Sequence, residues 1–333
     1  MEKALSFYNS RTEQYTPLNE MTILIDSDPL LFRGSLPKEE YMMFDVEQSH
    51  RPETLKEALE ILDQREGVFL LAGGTDLLVK MKEERISPKV LMDLRGIKDL
   101  RTIHCDREWI EIGSGVTFRQ IEDEPLFDGP MKALKMAAAE VGSPQIRNMA
   151  TLGGNLCNAS PAADFIPNLL ALDAEICLQS LNGERRMKAE GFLLGKGRVD
   201  RRSNEILISI GFPPLKTGRG LGFYKLGCRK ALAIAKLVIA VYLETDGKEN
   251  IKEIRIASGS VGIKTLRESH VEEFFRGKKV SPGLMEDGAR VFSEEIQRRL
   301  GTRHGGIYKG ISVKAVFKRA FEKALESKGE ENE

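Results

Sequence analysis

Two glycine pairs, Gly73-Gly74 and Gly153-Gly154, constrain this chain more than any other feature. The first sits in Ala72-Gly73-Gly74-Thr75-Asp76, directly after the apolar run Val68-Phe69-Leu70-Leu71. The second sits in Thr151-Leu152-Gly153-Gly154-Asn155, ahead of a further apolar stretch. Glycine adopts backbone conformations closed to other residues and lets the main chain approach a ligand closely. Successive N–H groups in such a turn converge on one concavity, which suits a phosphate or pyrophosphate. Either pair alone reads first as a tight turn. Neither belongs to a G-x-G-x-x-G fingerprint, and no G-x-x-x-x-G-K-[ST] loop occurs. Two such turns on successive α/β segments suggest one extended dinucleotide gripped from both sides.

The rest of the pattern supports alternating strands and helices. Thr54 is placed to cap a helix carrying Leu55, Ala58, Leu59 and Leu62 at helical spacing. Val68–Ala72, Lys89–Asp93 and Trp109–Gly113 read as short strands. Thr75–Lys80 opens a helical turn. Phe118–Glu122, Pro130–Val141 and Phe165–Leu172 read as helices, and Glu175–Gln179 and Glu205–Phe212 as strands. Pro213-Pro214 with Gly218, Gly220 and Gly222 gives the best interdomain linker. Beyond it the pattern predicts a helix over Ala231–Tyr242, a strand over Ile251–Ser258, and two further helices. A length of 333 residues suits about two domains. Residues 1–43 mix polar residues with a short apolar run, Met21–Ile25, and read as an appended arm with little core of its own.

Composition removes whole classes of function. Lys+Arg and Asp+Glu number 50 each, so no global charge draws the protein to nucleic acid or to an acidic membrane. The four cysteines, Cys105, Cys157, Cys177 and Cys228, are far apart and form no C-x-x-C pair. They spell neither a zinc site nor an iron–sulfur cluster, and read as small buried thiols of a reducing cytosol. The amino terminus lacks the apolar core of a signal peptide. The longest apolar stretch, Ala231–Leu243, contains Lys236 and falls short of the ~20 residues that span a bilayer. The expected protein is soluble and cytoplasmic.

Two long runs, LLAGGTDLLVKMK and QIRNMATLGGNLCNASPAADFIPNLLALDAEICL, resemble the FAD-binding (medium) subunits of the xanthine dehydrogenase and carbon monoxide dehydrogenase family of molybdenum hydroxylases. The likeness extends from about Phe44 to near the carboxyl end. FYKLG at 223–227 and RKALAIA at 229–235 are similar to the start of the family's C-terminal domain. The resemblance implies an α+β fold: an FAD-binding domain of the vanillyl-alcohol oxidase type, followed by a C-terminal α/β domain. The implied boundaries are an extension over 1–43, an FAD-binding domain over 44–216 with subdomains of about 44–113 and 114–216, and a C-terminal flavoprotein domain over 220–325. Residues 1–43 have no counterpart in the family, and Met149 stands where a basic residue is frequent.

The resemblance also assigns residues. Leu70, Leu71, Ala72, Gly73, Gly74, Thr75, Asp76 and Leu77 would wrap the pyrophosphate and flank the flavin. Thr151, Leu152, Gly153, Gly154 and Asn155 would hold the other side of the diphosphate. Asp164 would bond the FAD, and Leu207 and Lys225 match later flavin contacts, with Lys225 a cation that tunes the flavin. His50, His104, His270 and His304 all lie outside both glycine turns, so FAD is expected to be non-covalent. No residue beyond the flavin is expected to be catalytic, and no metal is expected on this chain. The implied role is electron transfer. Electrons from the [2Fe–2S] clusters of one partner subunit, originating at the molybdenum cofactor of another, would pass to an external acceptor such as NAD. Two other roles remain open on the residues: a stand-alone FAD-dependent reductase of the same fold, and a non-catalytic flavin-binding assembly subunit.

Overall fold

The computed structural model describes residues 44–229, 231–303 and 305–328, which belong to one compact unit. The expected extension over 1–43 lies outside the described residues.

The first subdomain opens with strand β1 (Gln48–His50), helix α1 (Leu55–Gln64), strand β2 (Val68–Leu71), helix α2 (Leu77–Lys82) and strand β3 (Val90–Asp93). The three strands form a parallel sheet in the order β1-β3-β2. Thr54 caps α1, its side-chain oxygen accepting from the Glu57 N–H at 3.2 Å. Ala58, Leu59 and Leu62 of that helix pack with Met92, Ile97 and Leu100 into a small core.

The second subdomain contains β4 (Ile103–Cys105), β5 (Ile110–Gly113), α3 (Phe118–Asp123), α4 (Lys132–Ala139), α5 (Pro144–Met149), α6 (Leu152–Asn158) and α7 (Ile166–Ala171). It continues through β6 (Glu175–Ser180), β7 (Gly183–Lys188), α8 (Ala189–Phe192), β8 (Leu193–Gly195), β9 (Arg198–Val199) and β10 (Ile206–Phe212). Five of these strands make an antiparallel sheet ordered β4-β5-β10-β6-β7, and β8 pairs with β9.

The C-terminal part is an antiparallel sheet of β11 (Arg219–Gly227), β12 (Ala235–Thr245), β13 (Ile251–Gly259) and β14 (Leu266–Arg267). Helices α9 (Ser269–Phe275), α10 (Pro282–Leu300) and α11 (Gly306–Ser327) follow.

Two expectations fail here. The helix predicted over Ala231–Tyr242 is the strand β12. Its side chains alternate between two cores: Val238, Ala240 and Tyr242 pack toward the second subdomain, while Leu237, Ile239, Val241 and Leu243 pack under the C-terminal helices. A strand buried on both faces loses its polar alternation and reads as a continuous apolar run, which periodicity alone does not separate from a helix. Gly220 and Gly222 are likewise not linker but β11. A Cβ on Gly220 would lie 2.0 Å from the Ala324 carbonyl oxygen, and one on Gly222 would lie 1.9 Å from that of Ala320. The two glycines let α11 lie directly on the sheet.

The cysteines also divide: Cys177 is buried, Cys157 half-buried, and Cys105 and Cys228 are exposed. No helix among the described residues is long and apolar enough to cross a membrane.

Candidate functional site

The first glycine pair lies between the end of β2 and the start of α2, and the second lies inside the first turn of α6. The two pairs are packed together. A Cβ on Gly73 would fall 2.0 Å from the Met149 carbonyl oxygen, and one on Gly154 would fall 3.7 Å from the Ala72 Cβ. Gly74 has φ +74°, in the left-handed region that favours glycine. Gly153 is pinned on the other side, where a Cβ would lie 2.5 Å from the Ser114 Cβ.

The pairs differ in what their amides do. Leu152 N–H donates to the Val116 carbonyl and Gly153 N–H to that of Ser114, each at 2.9 Å. Thr151, the N-cap of α6, accepts from Gly154 N–H on its hydroxyl at 3.1 Å and from Asn155 N–H on its carbonyl at 2.9 Å. The second pair therefore has its amide donors engaged within the chain. In the first turn, among the described residues, the N–H groups of Gly73, Gly74 and Thr75 donate to no other group of the chain. Three successive unengaged donors in a turn are an anion-binding arrangement.

Two chambers meet at this junction. The larger, about 1030 Å³, lies between the parallel sheet and the five-stranded sheet. The smaller, about 260 Å³, lies against α2 and α5. Leu70, Ala72, Thr151, Gly154 and Cys157 line both, and so form the neck. Burial pushes the Cys157 thiol up to about 11, which keeps it protonated and uncharged. The large chamber is at the upper end of the ~300–1,000 Å³ range of small-molecule sites.

Its electrostatics are one-sided. Arg51, Arg65, Arg95, Arg101 and Arg201 line the large chamber, and no Asp or Glu among the described residues does. Arg51 and Arg95 share Asp93, at 3.8 and 2.8 Å. Arg201 donates to the backbone carbonyls of Arg202 and Glu205, and Arg101 to that of Arg95 at 2.5 Å. A lining with net positive charge suits a diphosphate. The sequence reading missed these five arginines, which are scattered from residue 51 to 201 and share no spacing.

The residues singled out from the sequence are thus partly assembled. Gly73, Gly74, Thr75, Asp76, Leu77 and Asn155 line the small chamber, and Gly153 and Leu207 the large one. Leu71 and Leu152 line neither, and Leu152 is buried.

Asp164 and Lys225 also line neither chamber and instead pair with each other. Lys225 Nζ donates to Asp164 Oδ2 at 2.8 Å and to the Glu140 carbonyl at 2.9 Å, with the Glu140 carboxylate 3.6 Å away. The pair ties β11 to the segment before α7. Burial pushes the Asp164 carboxyl up to about 6, against the opposing pull of Lys225. The folded state therefore binds a proton that the unfolded state releases near 3.8, and this group's contribution falls as pH rises from about 4 to 6. Lys225→Met strands a buried carboxyl and lifts its folded value further. The variant's destabilisation, read by urea denaturation, is expected to be about 1 to 3 kcal/mol greater at pH 8 than at pH 5.

FAD fits this arrangement on three observations. The first turn presents unengaged amides to the small chamber beside the neck, the larger chamber is cationic, and a Cβ at Gly154 would fill the space between the two turns. Asn155 Oδ1 and Asp164 Oδ1 are moreover buried without a donor among the described residues.

Comparison with known proteins points the same way. The family described as "FAD binding domain in molybdopterin dehydrogenase" matches residues 43–215, and "CO dehydrogenase flavoprotein C-terminal domain" matches 222–324. The chain is 33% identical to the nicotinate dehydrogenase FAD-subunit of Eubacterium barkeri, over 81% of this chain and 93% of that protein. It is 29% identical to the xanthine dehydrogenase FAD-binding subunit of Escherichia coli O157:H7, over 86% and 99%. Among solved structures, a chain of the carbon monoxide dehydrogenase of Hydrogenophaga pseudoflava superimposes with a TM-score of 0.77 and 28% identity, covering 84% of this chain and 97% of that one.

Proposed function

Because this chain belongs to the family of FAD-binding subunits of the xanthine and carbon monoxide dehydrogenase type of molybdenum hydroxylases, we propose that it is the electron-transfer flavoprotein of such a complex. Its electrons come from [2Fe–2S] clusters on a partner subunit, after substrate oxidation at a molybdenum cofactor on another. They leave to an external acceptor such as NAD. FAD supplies the reversible redox chemistry when bound.

The chain's own residues supply the grip. The unengaged amides of Gly73, Gly74 and Thr75 face the diphosphate, and the arginines of the large chamber neutralise it. Leu70, Ala72, Asp76 and Leu77 complete the first wall and Thr151, Gly153, Gly154 and Asn155 shape the second, while Leu71 and Leu152 line neither chamber. Leu207 packs against the cofactor in the large chamber. Asp164 keeps one carboxylate oxygen available as an acceptor, and Lys225 holds that carboxylate in place. The proposed division into 1–43, 44–216 and 220–325 is supported by the two family matches, which leave only a short gap between them.

The single observation that carries this reading is the junction of the chambers, where three backbone donors with no partner among the described residues lie beside the neck that opens into the cationic chamber. Its test is direct. Purified protein is expected to be yellow, and acid precipitation is expected to leave all the FAD in the supernatant. Colour that stays with the pellet would contradict non-covalent binding, and colourless protein that takes up no added FAD would overturn the reading itself.

A further inference from the structure

The most exposed large apolar side chains of the described residues gather at one end of the C-terminal sheet. Ile234, Ile307, Ile263, Ile311, Leu232 and Tyr308 are between 53% and 77% exposed, and no other large hydrophobic exceeds 50%. They come from three segments. Leu232 and Ile234 lie in the turn between β11 and β12, Ile263 in the turn between β13 and β14, and Ile307, Tyr308 and Ile311 in the first turns of α11. Two hydrogen bonds join these segments. Ser260 Oγ donates to the Ala235 carbonyl at 2.8 Å, and Lys309 Nζ donates to the Ser260 carbonyl. Ile307 and Ile311 are one helical turn apart on a face that an amphipathic helix gives to charged residues.

The rim of this patch is cationic, in a chain whose charges balance overall. Residues 231–236, 260–264 and 305–314 contain Lys236, Lys264, Lys309 and Lys314 and no Asp or Glu. Nearby carboxylates are engaged elsewhere. Glu268 and Glu272 are buried in pairs with Arg299 and Arg267, Glu286 pairs with Lys318, and Glu190 accepts from the Arg267 N–H at 3.3 Å. Among the described residues Lys236, Lys264 and Lys309 meet no carboxylate within ion-pair distance, and Lys264 Nζ donates to the Leu193 carbonyl at 2.6 Å. Burial, and then the like charge of Lys236, hold the Lys309 ammonium below its usual range.

We infer that this end of the C-terminal sheet is a docking surface for a partner subunit, whose matching surface is apolar at its centre and rimmed by Asp and Glu side chains. This rests on the reading of the chain as one subunit of a larger complex. An apolar centre with a charged rim is the anatomy of a protein interface, and complementary rim charges fix its register. A second copy of this chain fits poorly, because a shared patch would set lysine against lysine. A lipid surface fits less well than a protein. Lys264 and Lys309 each give a donor to a backbone carbonyl, so their charges are fixed in place and suit carboxylates that are equally fixed.

The experiment isolates the complex from its source cells through a tag on the full chain and measures iron and molybdenum per flavin. It compares wild type, Ile307→Ser/Ile311→Ser, Lys236→Glu and Lys236→Arg, with FAD affinity and urea midpoint measured on each isolated chain. The double variant is expected to lose both metals about tenfold, with FAD affinity and midpoint unchanged. Lys236→Glu is expected to lose them several-fold, less so in high salt, and Lys236→Arg to retain them. Wild-type metal content in the double variant would overturn the inference. Should that variant prove unstable, the exposed Lys236→Glu decides by the same criterion. Unchanged metals alongside a dimer of the isolated chain that the double variant loses would assign the patch to a second copy. Unchanged metals alongside binding to phosphatidylserine vesicles that the variant loses would assign it to lipid, and either result overturns the inference. A wild-type chain that brings neither metal would strike at the reading itself and take the inference with it.

Discussion

Gly154→Val is expected to abolish FAD binding while leaving the protein folded. Gly154 lines both chambers at the neck, and a Cβ there meets only the Thr151 hydroxyl at 2.9 Å and the Ala72 methyl at 3.7 Å. The Cβ therefore enters the space between the two turns without striking backbone of another segment. The cost to the fold is the disturbed cap of α6, about 1 kcal/mol. The cost to binding is loss of the diphosphate's seat, and an affinity fall of at least about a hundredfold, or about 2.7 kcal/mol, is expected in a fluorescence titration. The other three glycines of the pairs behave differently. Gly73→Val drives a side chain into the Met149 carbonyl, and Gly153→Val into Ser114, so both are expected to lower stability together with binding. Gly74→Val carries the left-handed backbone penalty of about 1–2 kcal/mol. Unchanged FAD affinity in soluble Gly154→Val would show that the cofactor does not pass through the neck.

The largest effect on stability is expected far from the chambers, at Gly222→Val. A Cβ there would lie 1.9 Å from the Ala320 carbonyl oxygen and 2.5 Å from the Ala324 amide nitrogen, both backbone atoms of α11. Neither can rotate away, so the helix must lift from the sheet. That separates Val316, Phe317, Ala320 and Phe321 from Leu237, Ile239 and Val241 in the C-terminal core. Overpacking of this kind costs typically 1–3 kcal/mol where side chains yield, and more than about 3 kcal/mol is expected where backbone must move. Denaturant unfolding measures it. Gly283→Ala is the control: its Cβ meets nothing within 4 Å in the first turn of α10. It is expected to be neutral or slightly stabilising. A Gly222→Val protein as stable as that control would show that the contact between α11 and β11 is looser than described here.

What the sequence made legible was local. Thr54, with Leu55, Ala58, Leu59 and Leu62 behind it, wrote α1 and its cap in one short stretch. The turn after Leu71 was visible because glycine pairs are scarce and consequential, and the two pairs pack together beside the neck. Strand β12 was misread because its burial on two faces comes from two other parts of the chain, the helices α9 to α11 and the second subdomain. Gly220 and Gly222 looked like linker because a glycine that admits a helix and a glycine that bends a loop are the same letter.

The sequence by itself therefore determined the chain's family, its short strands and helices, and the two turns that meet at the cofactor neck. These follow from propensities and spacings within a few residues, which a chain carries wherever it folds. The tertiary structure alone decided that the first pair's amides have no partner among the described residues and the second pair's are engaged, because that depends on Ser114 and Val116 reaching across from another segment. It alone gathered five arginines around one chamber. It alone set Asp164 against Lys225, so that the charge of that lysine meets a partner from a distant part of the chain. Charge and hydrogen-bond capacity belong to residues, but whether they are spent or available depends on neighbours brought from far along the chain.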